Sequence, residues 1–283
     1  MSASADSIAT AVDRRAAVVA WWDRHLVVRR AVLVVCVLGA WELAAVLLDR
    51  SILPTLPEFA GAIGPTVASA VYWQALGATV LGWAVGLVAA AVVGIAIGLL
   101  IGLSDIADHA TRVLIAVLYA VPPITVMPLL VIVYGTTAQM KIMIVFVAAL
   151  WPLLIHAVDG VHEVDAVAKE TARSYHLSRR RRVVFLYLPT ASAFIATGLR
   201  IAASISLMLG VAVEVITGTP GLGAQIQLRS SNADEPASAF VYFVTAALLG
   251  LLVATVFRRI ERQAMFWHPS FRRRPTDGRD GRA

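Results

Sequence analysis

Charged side chains are concentrated in one short stretch of the sequence, KETARSYHLSRRRRVVFLYLP, which runs from Lys169 to Pro189. The stretch holds four consecutive arginines, Arg179 to Arg182, and it lies between two long apolar runs. Arginines on a folded soluble surface would favour nucleic acid as the partner, whereas arginines between apolar runs favour an orientation signal in a membrane. We therefore interpret the four arginines mainly as a topological anchor and expect no nucleic-acid partner.

Ionisable side chains also occur inside the apolar runs, at Glu42, Arg200 and Glu214. A charge at the centre of a bilayer costs about 2.5 to 3.5 kcal/mol on insertion scales, so each of these residues needs a physical reason to be there. For the two glutamates we favour structural polar contacts or gating of a path, and keep a proton relay or a contact with substrate as the alternative. For Arg200 we favour a reach to the interface or a carboxylate partner over attraction of an anionic substrate.

The sequence lacks the residue patterns that bind metals, perform nucleophilic catalysis or hydrolyse ATP. His156 and His162 are six residues apart, a gap that does not place both on one helical face beside Glu163. Serines and histidines are scattered over different runs, so no pair of nucleophile and base is predicted. A phosphate-binding P-loop needs a lysine after a glycine-rich turn, and neither Lys141 nor Lys169 follows a glycine. We expect no metal and no cofactor on this chain, and no ATP hydrolysis by this route.

Membrane-spanning helices must position these side chains. Hydrophobic residues make up 59% of the 283 residues and charged residues 15%, against about 25% charged in soluble domains. A helix needs roughly 20 apolar residues to cross the hydrocarbon, and six runs qualify, at about 31–48, 75–103, 111–134, 140–158, 193–217 and 239–257. We therefore predict an all-α polytopic membrane protein with six transmembrane helices. The third run contains Pro122, Pro123 and Pro128, so we expect it to be broken or kinked.

The distribution of basic residues predicts the orientation of these spans. If the N-terminus is cytoplasmic, 20 of the 24 Lys and Arg residues fall on the cytoplasmic side, and Arg50, Lys141 and Arg229 are assigned to the opposite side. The positive-inside rule then places both termini in the cytoplasm. The predicted organisation is a cytoplasmic segment at 1–30 with an interfacial helix at 12–29, a transmembrane domain at 31–257 with a cytoplasmic loop at about 159–192, and a cytoplasmic basic tail at 258–283.

Two further patterns concern helix packing and a path through the membrane. Glycines recur at four-residue spacing in the second run, which lets helix backbones approach closely; they are Gly82, Gly86, Gly94, Gly98 and Gly102. We favour packing within one chain over an interface between two chains. Candidates for lining a translocation path are Thr125, Met127, Ser204, Ser206 and Met208, although ordinary helix packing is the favoured role of each one taken singly.

The residues before the arginines predict a short amphipathic helix between His162 and Tyr175. Apolar or small side chains recur there at the spacing of one helical face, and charged side chains occupy the rest of the circumference. The first set is Val164, Val167, Ala168, Thr171, Ala172 and Tyr175, and the second is Glu163, Asp165, Lys169, Glu170 and Arg173. Such a helix lies on the lipid surface or docks in a groove of a cytoplasmic partner. Three carboxylates are unusual beside an anionic leaflet, so docking is at least an equal alternative.

The spacing in this segment resembles the EAA loop, E-A-A-x3-G-x9-I-x-L-P, of the permease subunits of binding-protein-dependent ABC importers. The matching positions are Glu170, Thr171, Ala172, His176, Leu186, Leu188 and Pro189. Further segments resemble the nitrate, sulfonate and taurine branch of that family, in order Trp41-Glu42, 53–59, 121–135, 172–178, 197–202 and 214–223.

Two positions depart from the family pattern, since Thr171 replaces an alanine and His176 replaces the glycine. Glycine there permits the left-handed turn that ends a helix. Histidine is enriched in that conformation among non-glycine residues, so we expect the turn to survive with some strain.

The resemblance implies a type I ABC importer permease fold in the bacterial cytoplasmic membrane and a transport role rather than an enzymatic one. It implies contacts with an ATPase subunit for Glu170, Thr171, Ala172, Arg173, His176, Leu186, Leu188 and Pro189. A translocation path or gate is expected at Thr125, Met127, Ser204, Met208 and Glu214.

The implied partners are two ATP-binding subunits that carry ATP and Mg, a second permease copy in a homodimer, an extracytoplasmic binding protein and membrane lipid. The implied solute is an aliphatic sulfonate, taurine or a nitrate-like anion, with a vitamin precursor or another heterocycle as the alternative within the family. An ion-coupled secondary transporter remains the alternative outside it. Such carriers commonly have interrupted helices in both halves, whereas only the third run is broken by proline here. A third alternative, an intramembrane enzyme, lacks a convergent polar set.

Overall fold

A computed structural model describes residues 26–47, 53–232 and 235–264, and these residues are almost entirely helical. The helices are α1 (Leu26–Leu47), α2 (Leu56–Ala68), α3 (Ala70–Gly102), α4 (Asp105–Ala120), α5 (Met127–Tyr134), α6 (Ala138–His162), α7 (Ala166–Ser174), α8 (Arg179–Thr217), α9 (Leu222–Ser230) and α10 (Pro236–Ala264). A 3-10 turn at Pro123–Val126 precedes α5, and α8 includes a π-helical turn at Val183–Tyr187. The described ranges contain no β-strand, which agrees with the predicted all-α class.

Both predicted terminal segments fall largely outside the described residues. Of the interfacial helix predicted at 12–29, only residues 26–29 are described, and they begin α1. Of the predicted tail at 258–283, residues 258–264 continue α10 and the rest is outside the described ranges.

Five of the described helices are long and apolar enough to cross a membrane, and there are six spans if α4 and the segment Pro123–Tyr134 count as one bent span. The two parts of that span meet at an angle of 81°. The helix α4 ends at Ala120, just before Pro122 and Pro123, because proline disfavours helix at the preceding residue and has no N–H to donate. The predicted break in the third run is confirmed.

The helix that contains the fifth apolar run begins well before that run. The helix α8 starts at Arg179 rather than near 193, and the hydroxyl of Ser178 accepts a hydrogen bond from the backbone N–H of Arg181 at its first turn. The four arginines therefore lie in a helix and not in a loop. Pro189 has no N–H for the carbonyl four residues before it, and the π-helical turn at Val183–Tyr187 accommodates this gap. The helix extends beyond the apolar run because hydropathy marks only the part of a helix inside the hydrocarbon, and the limits of the span at 193–217 stay a prediction.

The centre of the described structure is formed by α3, α6 and α8. All five glycines of the α3 stripe face α6, and the closest approach is at Gly98, where a Cβ would lie 2.5 Å from the carbonyl oxygen of Leu154. Apolar side chains such as Leu87, Leu153 and Leu207 fill the space between the three helices. The favoured role of the glycine stripe, packing within one chain, is confirmed.

The tryptophan and glutamate of the first span hold the following segment in place. The indole Nε1 of Trp41 donates to the carbonyl oxygen of Pro54 at 2.9 Å. The carboxylate of Glu42 accepts the backbone N–H of Leu56 at 2.8 Å, which satisfies one of the free donors in the first turn of α2. Glu42 therefore makes a structural polar contact, as favoured from the sequence.

Candidate functional site

The helix α7 is attached to the end of α6 by a tight turn with a side-chain cap. The carboxylate of Asp165 accepts the backbone N–H of Val167 at 2.8 Å, which satisfies one of the orphan donors at the start of α7. The hydroxyl of Thr171 donates back to the carbonyl oxygen of Val167 at 2.7 Å. These local bonds define the start of the helix and leave its outer surface open.

The predicted amphipathic helix is present, but its apolar side chains lie on two faces rather than one. Val164, in the turn before α7, and Ala172 are buried against the rest of the chain. Val167, Thr171 and Tyr175 form an exposed row at four-residue spacing, in which Val167 is 68% and Tyr175 77% exposed. We call this row the docking stripe. Exposed apolar rows on a short helix are typical of surfaces that pack into a partner's groove.

The helix α7 ends in a left-handed turn at His176, whose φ is +51°. The N–H of His176 donates to the carbonyl of Arg173 at 2.9 Å, and the N–H of Leu177 donates to the carbonyl of Ala172 at 3.0 Å. This pair of bonds is the Schellman motif, which normally has glycine at the left-handed position. Within the described ranges His176 is the only non-glycine residue with a positive φ. The predicted survival of the turn is confirmed.

The second half of the motif lies on the first turns of α8. Leu186 is half-buried, whereas Leu188 and Pro189 are exposed just after the π-helical turn. The two halves of the motif meet across a cleft whose walls include Arg173 from α7 and Tyr187 from α8. The structure therefore brings the ends of the motif together at one end of the helix bundle.

A buried ion pair lies inside the bundle, between α6 and α8. The Nζ of Lys141 is 2.8 Å from Oε1 of Glu214, and the two side chains are 2% and 0% exposed. The ammonium also donates to the carbonyl oxygens of Ala78 and Pro220, both at 2.8 to 2.9 Å. The hydroxyl of Thr79 donates to the carboxylate at 2.9 Å. All polar groups of the pair are thus matched by donors and acceptors of the chain.

This pair holds the hairpin between α8 and α9. The N–H of Gly223 donates to Oε2 of Glu214 at 3.0 Å, and the N–H of Leu222 donates to Oγ1 of Thr79 at 2.8 Å. A Cβ on Gly221 would lie 2.1 Å from the carboxyl carbon of Glu214, so only glycine allows the backbone to come this close. The carboxylate of Glu214 serves as a structural polar contact, the role favoured from the sequence.

The position of Lys141 towards the extracytoplasmic side stays a prediction, but the burial of its side chain inside the bundle was not predicted. Residues 140–158 formed an apolar run with Lys141 at its edge, and a lysine at the edge of a span ordinarily reaches the interface. The available signal was a carboxylate of opposite sign, Glu214, inside another run. Nothing in one sequence pairs two residues that are so far apart along the chain.

The remaining path candidates occupy different environments. Ser204 and Met208 are exposed on one face of α8, four residues apart, whereas Ser206 is buried. Met127 is half-buried and packs against the cluster of Met140, Ile144 and Val213. Thr125 is exposed, and its hydroxyl donates to the carbonyl of Pro122 at 2.7 Å. A role of these residues in a translocation path stays a prediction.

Arg200 has the carboxylate partner that the sequence favoured. Its Nε is 2.7 Å from Oε2 of Glu261 in α10. The other carboxylate oxygen accepts the hydroxyl of Thr197 at 2.8 Å. The guanidinium is therefore neutralised within the chain.

The histidines considered as metal ligands are engaged elsewhere. Nδ1 of His156 lies 2.8 Å from the carbonyl oxygen of Pro152, and Nε2 of His162 lies 4.0 Å from Oδ2 of Asp108. In the part of the chain that the structure describes, no three His, Cys, Asp or Glu side chains come together as metal ligands would.

Comparison with known proteins gives one family. Residues 92–265 match the model of the family described as "binding-protein-dependent transport system inner membrane component". The chain is 32% identical to the nitrate import permease protein of Leptolyngbya laminosa over 67% of this chain and 68% of that protein. It is 32% identical to the taurine transport system permease protein of Escherichia coli K12 over 70% and 72%. A putative aliphatic sulfonates transport permease protein of Bacillus subtilis is 26% identical over 66% and 68%.

Solved structures share the fold. A chain of the MetNI methionine ABC transporter in an inward-facing conformation matches with a TM-score of 0.60 at 16% identity, over 69% of this chain and 96% of that one. A chain of an amino acid ABC transporter matches with a TM-score of 0.53 at 18% identity, over 73% and 94%.

Proposed function

The chain belongs to the family of binding-protein-dependent transport system inner membrane components, and from this premise we propose that α7 is the helix through which it docks on an ATP-binding subunit. It is a multi-pass permease subunit of an ABC importer in the inner membrane, and its role is transport rather than catalysis. The predicted orientation, with both termini in the cytoplasm, places α7 on the side where ATP is available.

The observation that carries the proposal is the docking stripe. Val167 and Tyr175 expose apolar surface on a helix that Ala172 fastens to the rest of the chain. Tyrosine in a partner's pocket is a frequent source of binding energy. The Schellman turn at His176 connects α7 directly to α8, so a displacement of α7 is transmitted to a spanning helix.

We propose two ATP-binding subunits and two copies of this chain in the complete transporter. Each copy offers one docking stripe, so a homodimer engages one ATP-binding subunit per copy. ATP and Mg are bound and used on those subunits, and closure of their dimer moves α7 and the spans attached to it. A binding protein delivers the solute from the extracytoplasmic side.

The substrate we propose is a small anion with a nitrate or sulfonate group. The proteins to which the chain is similar are named for nitrate, taurine and aliphatic sulfonates. The candidate path residues Thr125, Met127, Ser204 and Met208 carry no charge, and Arg200 is already paired. Selection among anions therefore belongs to the binding protein. Thermal stabilisation of that protein by nitrate, taurine and an alkyl sulfonate, measured side by side, tests the substrate class.

Co-purification of the ATP-binding subunit tests the docking stripe. Tyr175→Ala should weaken the association by about thirty-fold, the loss typical of a central aromatic contact. Phe243→Ala is the control, since Phe243 is also an exposed aromatic residue, at 57%, but lies on α10, outside the EAA motif. Equal losses in the two variants, or none in Tyr175→Ala, would show that the subunit docks elsewhere.

Charge reversal on the same helix gives an independent test. Glu170→Lys should leave membrane insertion intact and weaken the ATP-binding subunit's association by about fivefold or more, because it replaces an exposed carboxylate by a cation next to the docking stripe. Glu163→Lys makes the same change on the turn before α7 and serves as the control. Solute uptake by vesicles that have an ion gradient but neither ATP nor the ATP-binding subunit would overturn the proposed energy source.

A further inference from the structure

The helical start of α8 divides the four arginines into two pairs. Arg179 and Arg182 line a cleft of about 200 Å3, whereas Arg180 and Arg181 are not part of its walls. Residues three apart share a face of a helix, which explains the pairing. A topological anchor needs only four positive charges on the correct side and treats all four arginines alike. The division is therefore a feature that orientation does not explain.

The walls of the cleft are strongly basic. Besides the two arginines of α8, they carry Lys169 and Arg173 of α7, the acidic residue Asp105 and His162, with Gly102 and Val161 at the ends of α3 and α6. Four cations thus face one carboxylate. The neighbouring Asp108 lies 4.0 Å from His162 but outside the walls of the cleft, and its carboxylate is paired with Arg112 at 2.6 Å.

The cations of the cleft lack anionic partners within the described residues. None of the four forms an ion pair with a described carboxylate. The Nε of Arg182 is shielded from solvent and has no hydrogen-bond acceptor in the described ranges. Lys169 has only a long bond, 3.5 Å, to the carbonyl oxygen of His162. A buried donor without an acceptor is unfavourable, so the cleft is suited to a ligand that brings acceptors.

We propose that this cleft binds a tetrahedral oxyanion, namely the phosphate group of an anionic phospholipid or a free phosphate. The planar guanidinium groups of Arg179, Arg182 and Arg173 match two phosphate oxygens at a time. Basic pockets between the cytoplasmic ends of spans suit anionic headgroups. Val183 and Tyr187 of α8 also line the cleft, so apolar surface lies beside the bound phosphate, where the start of an acyl chain can pack.

Occupation of the cleft links α7 to α8. The cations on its two sides belong to the docking helix and to the spanning helix, and a shared anion holds them together where like charges would otherwise repel. The bound phosphate therefore fixes the position of α7 for its partner. The cytoplasmic location of the cleft rests on the proposed orientation.

The proposal is tested on the purified complex of the permease and its ATP-binding subunits, which is titrated with an anionic probe. In neutral detergent at about 150 mM salt, a short-chain phosphatidylglycerol and, separately, inorganic phosphate are the probes, read by native mass spectrometry and thermal unfolding. Removing one arginine should weaken binding by about fivefold, and Arg179→Gln/Arg182→Gln by about thirty-fold. The control Arg180→Gln/Arg181→Gln should change the affinity for the probe by less than about twofold, because charges away from the cleft are screened.

Each outcome decides between alternatives. Saturable binding of phosphate alone assigns the free anion, and binding of the lipid without phosphate assigns the headgroup. Equal weakening in both double variants would overturn the site in favour of diffuse attraction. Release of the ATP-binding subunits by Arg179→Gln/Arg182→Gln with unchanged lipid binding would overturn it in favour of an acidic protein segment.

Two double variants that conserve charge test the same site if the glutamine variant does not fold. Arg179→Lys/Arg182→Lys should lose the two-oxygen contacts and weaken binding by about fivefold relative to Arg180→Lys/Arg181→Lys. Equal affinity in these two variants would also overturn the proposal. Failure of the proposed docking role is distinguishable, since Tyr175→Ala tests it and leaves the walls of the cleft intact.

Discussion

Replacing Lys141 with methionine removes the ammonium that lies 2.8 Å from the carboxylate of Glu214 inside the bundle. Methionine fills a similar volume without charge, so the change tests electrostatics more than packing. The carboxylate keeps the hydroxyl of Thr79 at 2.9 Å and the N–H of Gly223 at 3.0 Å, but it loses its cation.

The expected loss in the free energy of unfolding follows from the burial of the ion pair. Removal of one partner from a buried ion pair costs about 3–5 kcal/mol, because the other charge stays desolvated. Two remaining donors place Lys141→Met near the lower end, at about 3 kcal/mol. The double variant Lys141→Met/Glu214→Gln carries no uncompensated charge and should lose only about 1–2 kcal/mol, which is about 1–2 kcal/mol less than the single variant.

The assay is SDS-induced unfolding of the purified permease in mixed micelles, with the free energy of unfolding taken from the midpoint and slope. Arg229→Met is the matched control, since it also removes the cation of an ion pair but leaves a carboxylate, Glu235, that is 46% exposed and stays solvated. It should cost less than about 1 kcal/mol. A loss in Lys141→Met no larger than in this control would refute the reasoning, and so would a double variant less stable than the single one.

Three further changes test local geometry. His176→Gly should stabilise the permease by about 1 kcal/mol, since glycine adopts the left-handed turn without strain, and a melting temperature in detergent that does not rise would contradict it. Gly98→Ala should cost about 1–3 kcal/mol, read as lower thermal stability, because its Cβ would meet the carbonyl of Leu154, whereas Gly77→Ala has open space and should be neutral or stabilising. Glu42→Ala should cost about 1 kcal/mol and increase limited proteolysis near the start of α2, and unchanged cleavage would argue against its capping role.

Local features of the chain made most of the fold predictable. Apolar runs of sufficient length marked the spans, and consecutive prolines marked the break that the structure places after Ala120. The spacing of Glu170, His176 and Pro189 predicted the helix, the turn and the family. Each of these signals is contained within a few tens of residues, so a single sequence suffices to interpret it.

Contacts between distant segments could not be predicted in the same way. The amphipathic pattern of α7 did not show which apolar side chains would be buried, and only packing separates Ala172 from the docking stripe. The arginines were equivalent until the start of α8 turned Arg179 and Arg182 towards the cleft.

The sequence by itself determined the number and approximate positions of the spans, the break in the third span, the family and the left-handed turn at His176. These depend on transfer free energies and backbone preferences, which are properties of short segments. Only the tertiary structure decided that Lys141 pairs with Glu214 and that Arg200 pairs with Glu261. The physical reason is that a charge in a membrane protein is stabilised by whichever opposite charge the helix packing brings within about 3 Å, and that packing is a property of the whole bundle.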